Sequence, residues 1–218
     1  SLDTSTDVQS IPPKLYMWKL SETLGNRIIV PADTLSLNFQ NTNLVDGMTG
    51  QYNFLGKLDS ALMYADSAIK YSHLAGDPRR LSLVYLNKAD YYRQLDLFTK
   101  TLAYCDTSMK YAQEAKSDDT KARIFQTMGS VYFSQAINDK ALYYYDQANV
   151  LYQLLGNEKM YAIVICNMGN VYDNLNNYDS SIAYYKKAIE IGERLNDNNQ
   201  LPLYYGSLGE TLYNAGRL

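Results

Sequence analysis

Few residues of this 218-residue chain have the types and spacing that a chemical site requires. The stretch from Gly50 to Gly56-Lys57 has the composition of a phosphate-binding loop. It holds one residue too many between the glycines, and Leu58 stands where such a loop carries Ser or Thr. We interpret the match as coincidence.

The remaining candidates for catalysis do not form a set either. His73 is the only histidine; we expect a solvated residue late in a helix, and neither a histidine-based metal site nor a Ser-His-Asp triad. The acidic pairs Asp118-Asp119 and Asp173/Asp179 are typical of turns and helix starts rather than of an acid–base couple. The sequence therefore predicts no enzyme, no metal and no cofactor.

The two cysteines are expected to be structural. Cys105 and Cys166 lie on different predicted helices, too far apart for the close Cα approach that a disulfide needs. Cys166 falls on a helix that lines the predicted groove, but a nucleophilic thiol needs a nearby base and none is evident. We interpret Cys166 as a small buried or half-buried thiol.

Charge and hydropathy exclude two classes of partner. The net charge is −3 with acidic and basic residues interleaved, so nothing favours nucleic acid or an anionic membrane. No apolar run is long enough for a transmembrane segment in this chain. The chain opens at Ser1, so the missing signal peptide does not argue for the cytoplasm.

The strongest feature is a repeat of forty residues. Gly129, Gly169 and Gly209 keep this step, each after a large apolar residue, and Ala89 lies one step earlier. Small residues keep the same step in two further sets, which are Ala61, Thr101, Ala141 and Ser181, and Ala68, Ser108, Ala148 and Ala188. A repeat of this size predicts stacked supersecondary units that present a binding surface.

Composition divides the chain near Leu58. Residues 1–57 hold one alanine and two tyrosines, whereas the remainder holds sixteen alanines and twenty tyrosines. We therefore predict an irregular N-terminal segment over 1–55, with short strands near 28–30 and 35–39, and a helical repeat array over 56–218. The array should contain helices at 58–74, 79–94, 98–114, 118–135, 138–155, 158–175, 178–194 and 199–215.

The spacing within each unit resembles a known family. One unit reads Met128, Gly129 and Tyr132, then Ala141, Tyr145 and Ala148, and the stretch NMGNVYDNLNNYDSSIAYYKKAIEI keeps the same order. This pattern resembles the tetratricopeptide repeat, with a period of forty as in the long-repeat branch that includes kinesin light chains. The resemblance implies an all-α fold, an α-α superhelix built as a solenoid of antiparallel helix pairs.

A second resemblance concerns the N-terminal segment. The strings NFQNTN and TGQYNFLG, within residues 16–56, look like the start of mature porin-like outer-membrane proteins of the Bacteroidetes. The barrel strands that should follow are absent, so no porin activity is implied. Bacterial origin with export, or a hybrid joined near Gly56, both remain open. The resemblance favours the periplasm or cell envelope over the cytoplasm.

The array has two irregular ends. By the forty-residue step, residues 43–54 should form the first helix of the first helix pair, but Asp46-Gly47 and Gly50 make it a poor helix. Helix 199–215 has no partner helix, which leaves Tyr205, Leu208 and Leu212 uncovered. We expect either a fragment of a longer protein or a face covered by another chain, including self-association through this helix.

In tetratricopeptide arrays the first helix of each pair lines the concave surface, so the resemblance makes the polar face of these helices the candidate binding site. Asparagine side chains both donate to and accept from a peptide backbone, and aromatic rings offer apolar anchors. The branch of this family that clamps the C-terminal carboxylate of a chaperone tail uses Lys and Arg in the groove. Arg93 is the one cation expected here, which argues against such a ligand. The predicted peptide-binding residues are Asn87, Asp90, Arg93, Gln94, Gln126, Ser130, Phe133, Asn167, Asn170, Asp173, Asn174, Glu210 and Tyr213, with Asn214 beside them.

Three functions follow from these observations. The first is a non-catalytic scaffold that binds a protein or peptide segment on the concave face. The alternatives are the sensory or input region of a bacterial signalling protein, such as a kinase or transcription regulator, and an exported outer-membrane-associated protein.

Overall fold

The structure is a computed structural model that describes residues 58–217, with side chains from residue 65 onward. Several predictions concern residues outside this range. They are the two strands, the poor helix at 43–54, the Gly50–Lys57 loop, the porin-like stretch and the domain boundary near residue 56.

The described residues form eight α-helices and no strands, as the all-α prediction requires. The helix bounds agree with the sequence-based bounds to within about two residues. The helices are α1 (Leu58–Ala75), α2 (Pro78–Gln94), α3 (Phe98–Glu114), α4 (Asp118–Ser134), α5 (Asn138–Leu154), α6 (Glu158–Asn174), α7 (Tyr178–Arg194) and α8 (Leu201–Asn214).

The helices pack as consecutive antiparallel pairs. The most extensive contacts join α2 to α3, α4 to α5, and α6 to α7, and each pair packs on the next. We call α2, α4, α6 and α8 the first helices and α1, α3, α5 and α7 the second helices. Among the described helices, counterparts in successive units touch repeatedly only where both are first helices, namely α2 and α4, α4 and α6, and α6 and α8. A stack of helix pairs curves toward the side on which successive helices lie closest together. The first helices therefore line the concave face.

Capping residues define where several helices begin. Pro78 occupies the first turn of α2, where a missing N–H does no harm. The side chains of Asp77, Asn157 and Asn177 accept hydrogen bonds from backbone N–H groups three residues ahead, at 3.1–3.2 Å. These bonds satisfy donors that the first helical turn leaves without a partner.

Left-handed residues close the helices. Gly76, Lys116, Gly156 and Asn196 keep the forty-residue step after the second helix of each unit, and all have positive φ, between 50° and 65°. The turns inside each unit follow the same rule, which the sequence did not reveal, at Asp96, Ala136, Asn176 and Gly216. Ala136 has a φ of 57°, and a Cβ makes that conformation costly.

Glycine lets the two helices of a unit approach closely. A Cβ built on Gly129 would lie 2.6 Å from Tyr145 Cδ1, and one on Gly169 would lie 2.7 Å from Tyr185 Cε1. Both tyrosine rings are buried, so they fill the space that the glycines leave. Gly209 keeps the same register on α8, yet nothing lies within 4 Å of its would-be Cβ.

The first described pair solves the same packing problem differently. Ala89 occupies the glycine position and Cys105 the tyrosine position, and both side chains are fully buried in one cluster. A methyl group is tolerated here because the facing side chain is small.

Tyrosines stack along the edge of each pair. The ring centroids of Tyr132 and Tyr144 are 5.3 Å apart, as are those of Tyr172 and Tyr184. Tyr132 and Tyr172 are half-buried in these stacks. The interior is filled by Tyr145 and Tyr185.

The glycine contact can be tested with a matched pair of substitutions. Gly169→Ala should destabilise the array by about 1–3 kcal/mol, because the methyl group overpacks against the buried Tyr185 ring. Gly209→Ala should stabilise it by up to about 1 kcal/mol, because alanine favours a helix and the site is open. Urea unfolding followed by circular dichroism measures both, and equal effects would contradict the packing role.

The left-handed turn residue gives a second prediction. Ala136→Gly should raise the free energy of unfolding by about 1 kcal/mol, because glycine adopts positive φ without a steric penalty. Ala183→Gly, at an exposed position within α7, should instead lower it by about 1 kcal/mol. Thermal unfolding of both variants distinguishes turn strain from a general effect of glycine. A loss of stability in Ala136→Gly would show that the backbone at Ala136 is not strained.

Candidate functional site

Two cavities open along the concave face. The first, which we call the arginine cavity, has a volume of about 270 Å³. Most of its wall comes from α2 and α4, and α6 contributes one residue. It is lined by Asp90, Arg93, Arg123, Gln126, Thr127, Ser130 and Met160.

The second cavity, which we call the acidic cavity, has a volume of about 210 Å³. It lies mainly between α6 and α8, and α4 and α7 each contribute one residue. It is lined by Phe133, Asn170, Asp173, Asn174, Tyr185, Ser207 and Glu210.

Most residues predicted for the binding face line one of these cavities. The exceptions are Asn87 and Asn167, which are half-buried, and Gln94, Tyr213 and Asn214, which are exposed. Asp173 lies on the groove late in α6, so its interpretation as a turn or helix-start residue was wrong.

The sequence missed five lining residues. Arg123 and Thr127 lie one turn from predicted neighbours on α4, so strict use of the helical period would have found them. The expectation of Arg93 as the one cation was therefore incomplete. Met160, Ser207 and Tyr185 gave no such signal, because their exposure at the groove depends on how neighbouring helices cross.

Core tyrosines reach the groove and orient its polar side chains. Tyr185 Oη donates to Asn170 Oδ1 at 2.6 Å, and Tyr152 Oη donates to Gln126 Oε1 at 3.0 Å. Burial raises the pKa of Tyr185 to about 12 and also raises that of Tyr152, so both hydroxyls stay protonated. Each amide oxygen is thus occupied by a tyrosine, and the amide N–H groups are left to face a ligand.

The third tyrosine in this series holds a hydroxyl instead of an amide. Tyr145 Oη donates to Ser130 Oγ at 3.1 Å, and Ser130 donates in turn to the backbone carbonyl of Gln126 at 3.1 Å. Burial raises the pKa of Tyr145 to about 12, which keeps this direction of donation at neutral pH. The wall of the arginine cavity is therefore fixed by the same helix packing that buries the tyrosine.

The arginine cavity carries an excess of positive charge. Asp90 Oδ1 accepts from Thr127 Oγ1 at 3.1 Å and pairs with Arg93 Nε at 3.4 Å. Arg123 takes part in none of the ion pairs that join side chains between residues 65 and 217. One carboxylate thus faces two guanidinium groups.

The acidic cavity carries the opposite charge. Asp173 Oδ1 accepts from Thr211 Oγ1 of α8 at 2.7 Å, a neutral partner that leaves its charge uncompensated. Glu210 is exposed on the same wall, and the lining residues include no Lys or Arg. The half-buried ring of Phe133 forms an apolar side of this cavity.

The cysteines and the histidine lie outside the groove. Cys105 and Cys166 are free and buried, so Cys166 faces the core and not the binding face. His73 is exposed on α1, as expected. Within residues 58–217 no group of three or more His, Cys, Asp or Glu side chains is arranged to hold a metal ion. None of the helices in that range is long and apolar enough to cross a bilayer.

The family model described as "Tetratricopeptide repeat" matches residues 162–193, which cover most of α6 and α7. No curated protein matches the chain.

Solved structures match over nearly the whole chain at low sequence identity. BtubC from P. vanneervenii has a TM-score of 0.75 at 18% identity, over 93% of this chain and 80% of its own. Aspartyl phosphate phosphatase F from Bacillus subtilis has a TM-score of 0.77 at 14% identity, over 91% of this chain and 51% of its own.

A Signal Transduction ATPase with Numerous Domains (STAND) protein with a tetratricopeptide repeat sensor, from Pyrococcus horikoshii, has a TM-score of 0.72 at 17% identity. The match covers 94% of this chain but 32% of that one. At these identities the likenesses establish the fold, a helical array of the tetratricopeptide type.

Thiol chemistry tests the placement of the cysteines. Burial raises the pKa of Cys166 to about 12 and also raises that of Cys105. At pH 8 the thiol of Cys166 is therefore almost entirely protonated. Ellman's reagent should label neither cysteine in the folded protein and both in urea. Rapid labelling of one thiol before unfolding that is lost in the Cys166→Ser variant would show that Cys166 reaches the groove.

Proposed function

We propose that this chain, a helical array of the tetratricopeptide type, is a non-catalytic scaffold. Its concave groove binds an extended segment of a partner protein. The observation that carries the proposal is the set of amides held by core tyrosines. Gln126 and Asn170 accept from Tyr152 and Tyr185 and keep their N–H groups for a ligand. An extended peptide exposes backbone carbonyls that these groups can bind.

Pre-organised amides favour binding because little side-chain freedom is lost when the ligand arrives. A flexible glutamine or asparagine on a helix surface must be immobilised, at a cost of about 0.5–1.5 kcal/mol for each side chain. The tyrosine hydrogen bonds meet part of this cost during folding. A polar helix face without such bonds has no comparable advantage.

The composition of the groove supports binding over catalysis. The lining residues of the two cavities include no histidine, cysteine or lysine. The usual pairs of a nucleophile and an adjacent base are therefore missing from both cavities. Asp90 is already engaged by Thr127 and Arg93, which favours a positioning role over proton transfer.

A second candidate is the input region of a signalling protein. The specific support is the STAND protein, whose tetratricopeptide repeats are described as a sensor. An input region must change conformation when its ligand binds, whereas a scaffold need not. Small-angle X-ray scattering with and without a bound peptide separates the two, because a change in the radius of gyration favours the input region.

The groove can be tested with substitutions at its rim. Asn174→Arg together with Glu210→Arg places two long cations in the acidic cavity, at exposed positions. We expect at least a tenfold loss of affinity, about 1.4 kcal/mol, for peptides selected against the natural chain. Fluorescence polarisation of labelled peptides, first selected from a random library, measures this loss.

A matched control uses the same kinds of change on second helices. Gln113→Arg with Glu190→Arg alters the net charge equally, at exposed positions of α3 and α7. Circular dichroism should show both double variants folded. If the control weakens binding as much as the groove variant does, or if no peptide is selected, the groove is not the binding site.

A further inference from the structure

We infer that the groove selects a segment carrying an acidic side chain and, about six residues away, a basic side chain, bound in one direction only. The inference rests on the proposed function and names the chemistry of the partner. It is carried by the opposite charges of the arginine cavity and the acidic cavity.

The arginine cavity fits a carboxylate. Its only acid, Asp90, uses Oδ1 to accept from Thr127 and to pair with Arg93 Nε. The described bonds of Arg93 leave its terminal nitrogens available, and Arg123 lines the same wall. Planar guanidinium groups bind carboxylates through two parallel hydrogen bonds. A ligand carboxylate would neutralise the excess positive charge.

The acidic cavity fits a lysine or arginine side chain. Asp173 and Glu210 face it with no cation among the lining residues. The ring of Phe133 lies on the same cavity, where it can cover the aliphatic stem of a long basic residue or contact its charged head. A basic side chain thus satisfies the carboxylates and the apolar wall together, which an acidic or small residue does not.

The repeat sets the distance between the two charges. Asp90 and Asn170 occupy the same place in units that are eighty residues, or two repeats, apart. Packed helices lie about 8–10 Å apart, so the two cavities are separated by about 20 Å. An extended chain covers about 3.3 Å for each residue, which places about six residues between the charged side chains.

One column of the groove shows the polarity directly. Positions forty residues apart read Arg93, Phe133 and Asp173 along successive first helices. A segment bound in the reverse direction would bring its acid to Asp173 and its base to Arg93. Both contacts would then be repulsive, and like charges strongly disfavour a wrong alignment.

Selection from a random peptide library tests this inference. The library consists of dodecapeptides with acetylated N-termini and amidated C-termini, so that only side chains carry charge. Retained peptides should pair an acidic with a basic residue at a spacing of about six, in one predominant order. Retained peptides without this pattern would overturn the inference while the scaffold proposal stands.

Charge reversal then assigns each end. The Arg123→Glu variant should bind a selected peptide at least tenfold more weakly. It should bind tightly again when the acidic residue of the peptide is replaced by lysine. Glu210→Lys should do the same for the base. Arg79→Glu and Glu190→Lys, at exposed positions outside both cavities, are the controls and should leave affinity unchanged.

Three other outcomes are informative. If neither reversal differs from its control, the charges do not select the ligand and the inference fails. If peptides with free C-termini bind to Arg123 more tightly than amidated ones, the cavity takes a terminal carboxylate and the side-chain assignment is wrong. If no library peptide is retained at all, the scaffold proposal fails together with the inference.

Discussion

The close approach of glycine and tyrosine in the α4–α5 and α6–α7 pairs is the contact on which the rest of the structure depends. Gly129 and Gly169 remove the Cβ that would collide with Tyr145 and Tyr185, so the two helices of a unit meet at the tyrosine ring. The cost of glycine in a helix is about 1 kcal/mol for each residue. Burial of a large aromatic side chain, which contributes about 1.5–3 kcal/mol, outweighs this cost.

The tyrosines of this contact also position polar groups at the groove. A tyrosine is long enough for its ring to fill the interior while its hydroxyl emerges at the groove, where it meets Ser130 or Asn170. Packing and binding are thus properties of one side chain. A phenylalanine would preserve the interior and release the groove residue from its partner.

Much of this architecture could be predicted from the sequence, because it follows from periodicity. Helix bounds, the left-handed residues at Gly76 and Asn196, and most of the groove residues depend on spacing alone. Features that depend on how helices cross could not be predicted. Met160 and Ser207 line cavities through contacts between units, and Ala136 adopts positive φ because the turn requires it, despite its side chain.

The carboxylates of the groove also tie neighbouring first helices together. Asp90 binds Thr127 across α2 and α4, and Asp173 binds Thr211 across α6 and α8. These two hydrogen bonds join successive first helices of the array. A ligand that engages either carboxylate therefore contacts a residue that also joins two helices, so binding in the groove and the stability of the contact between repeats are thermodynamically linked.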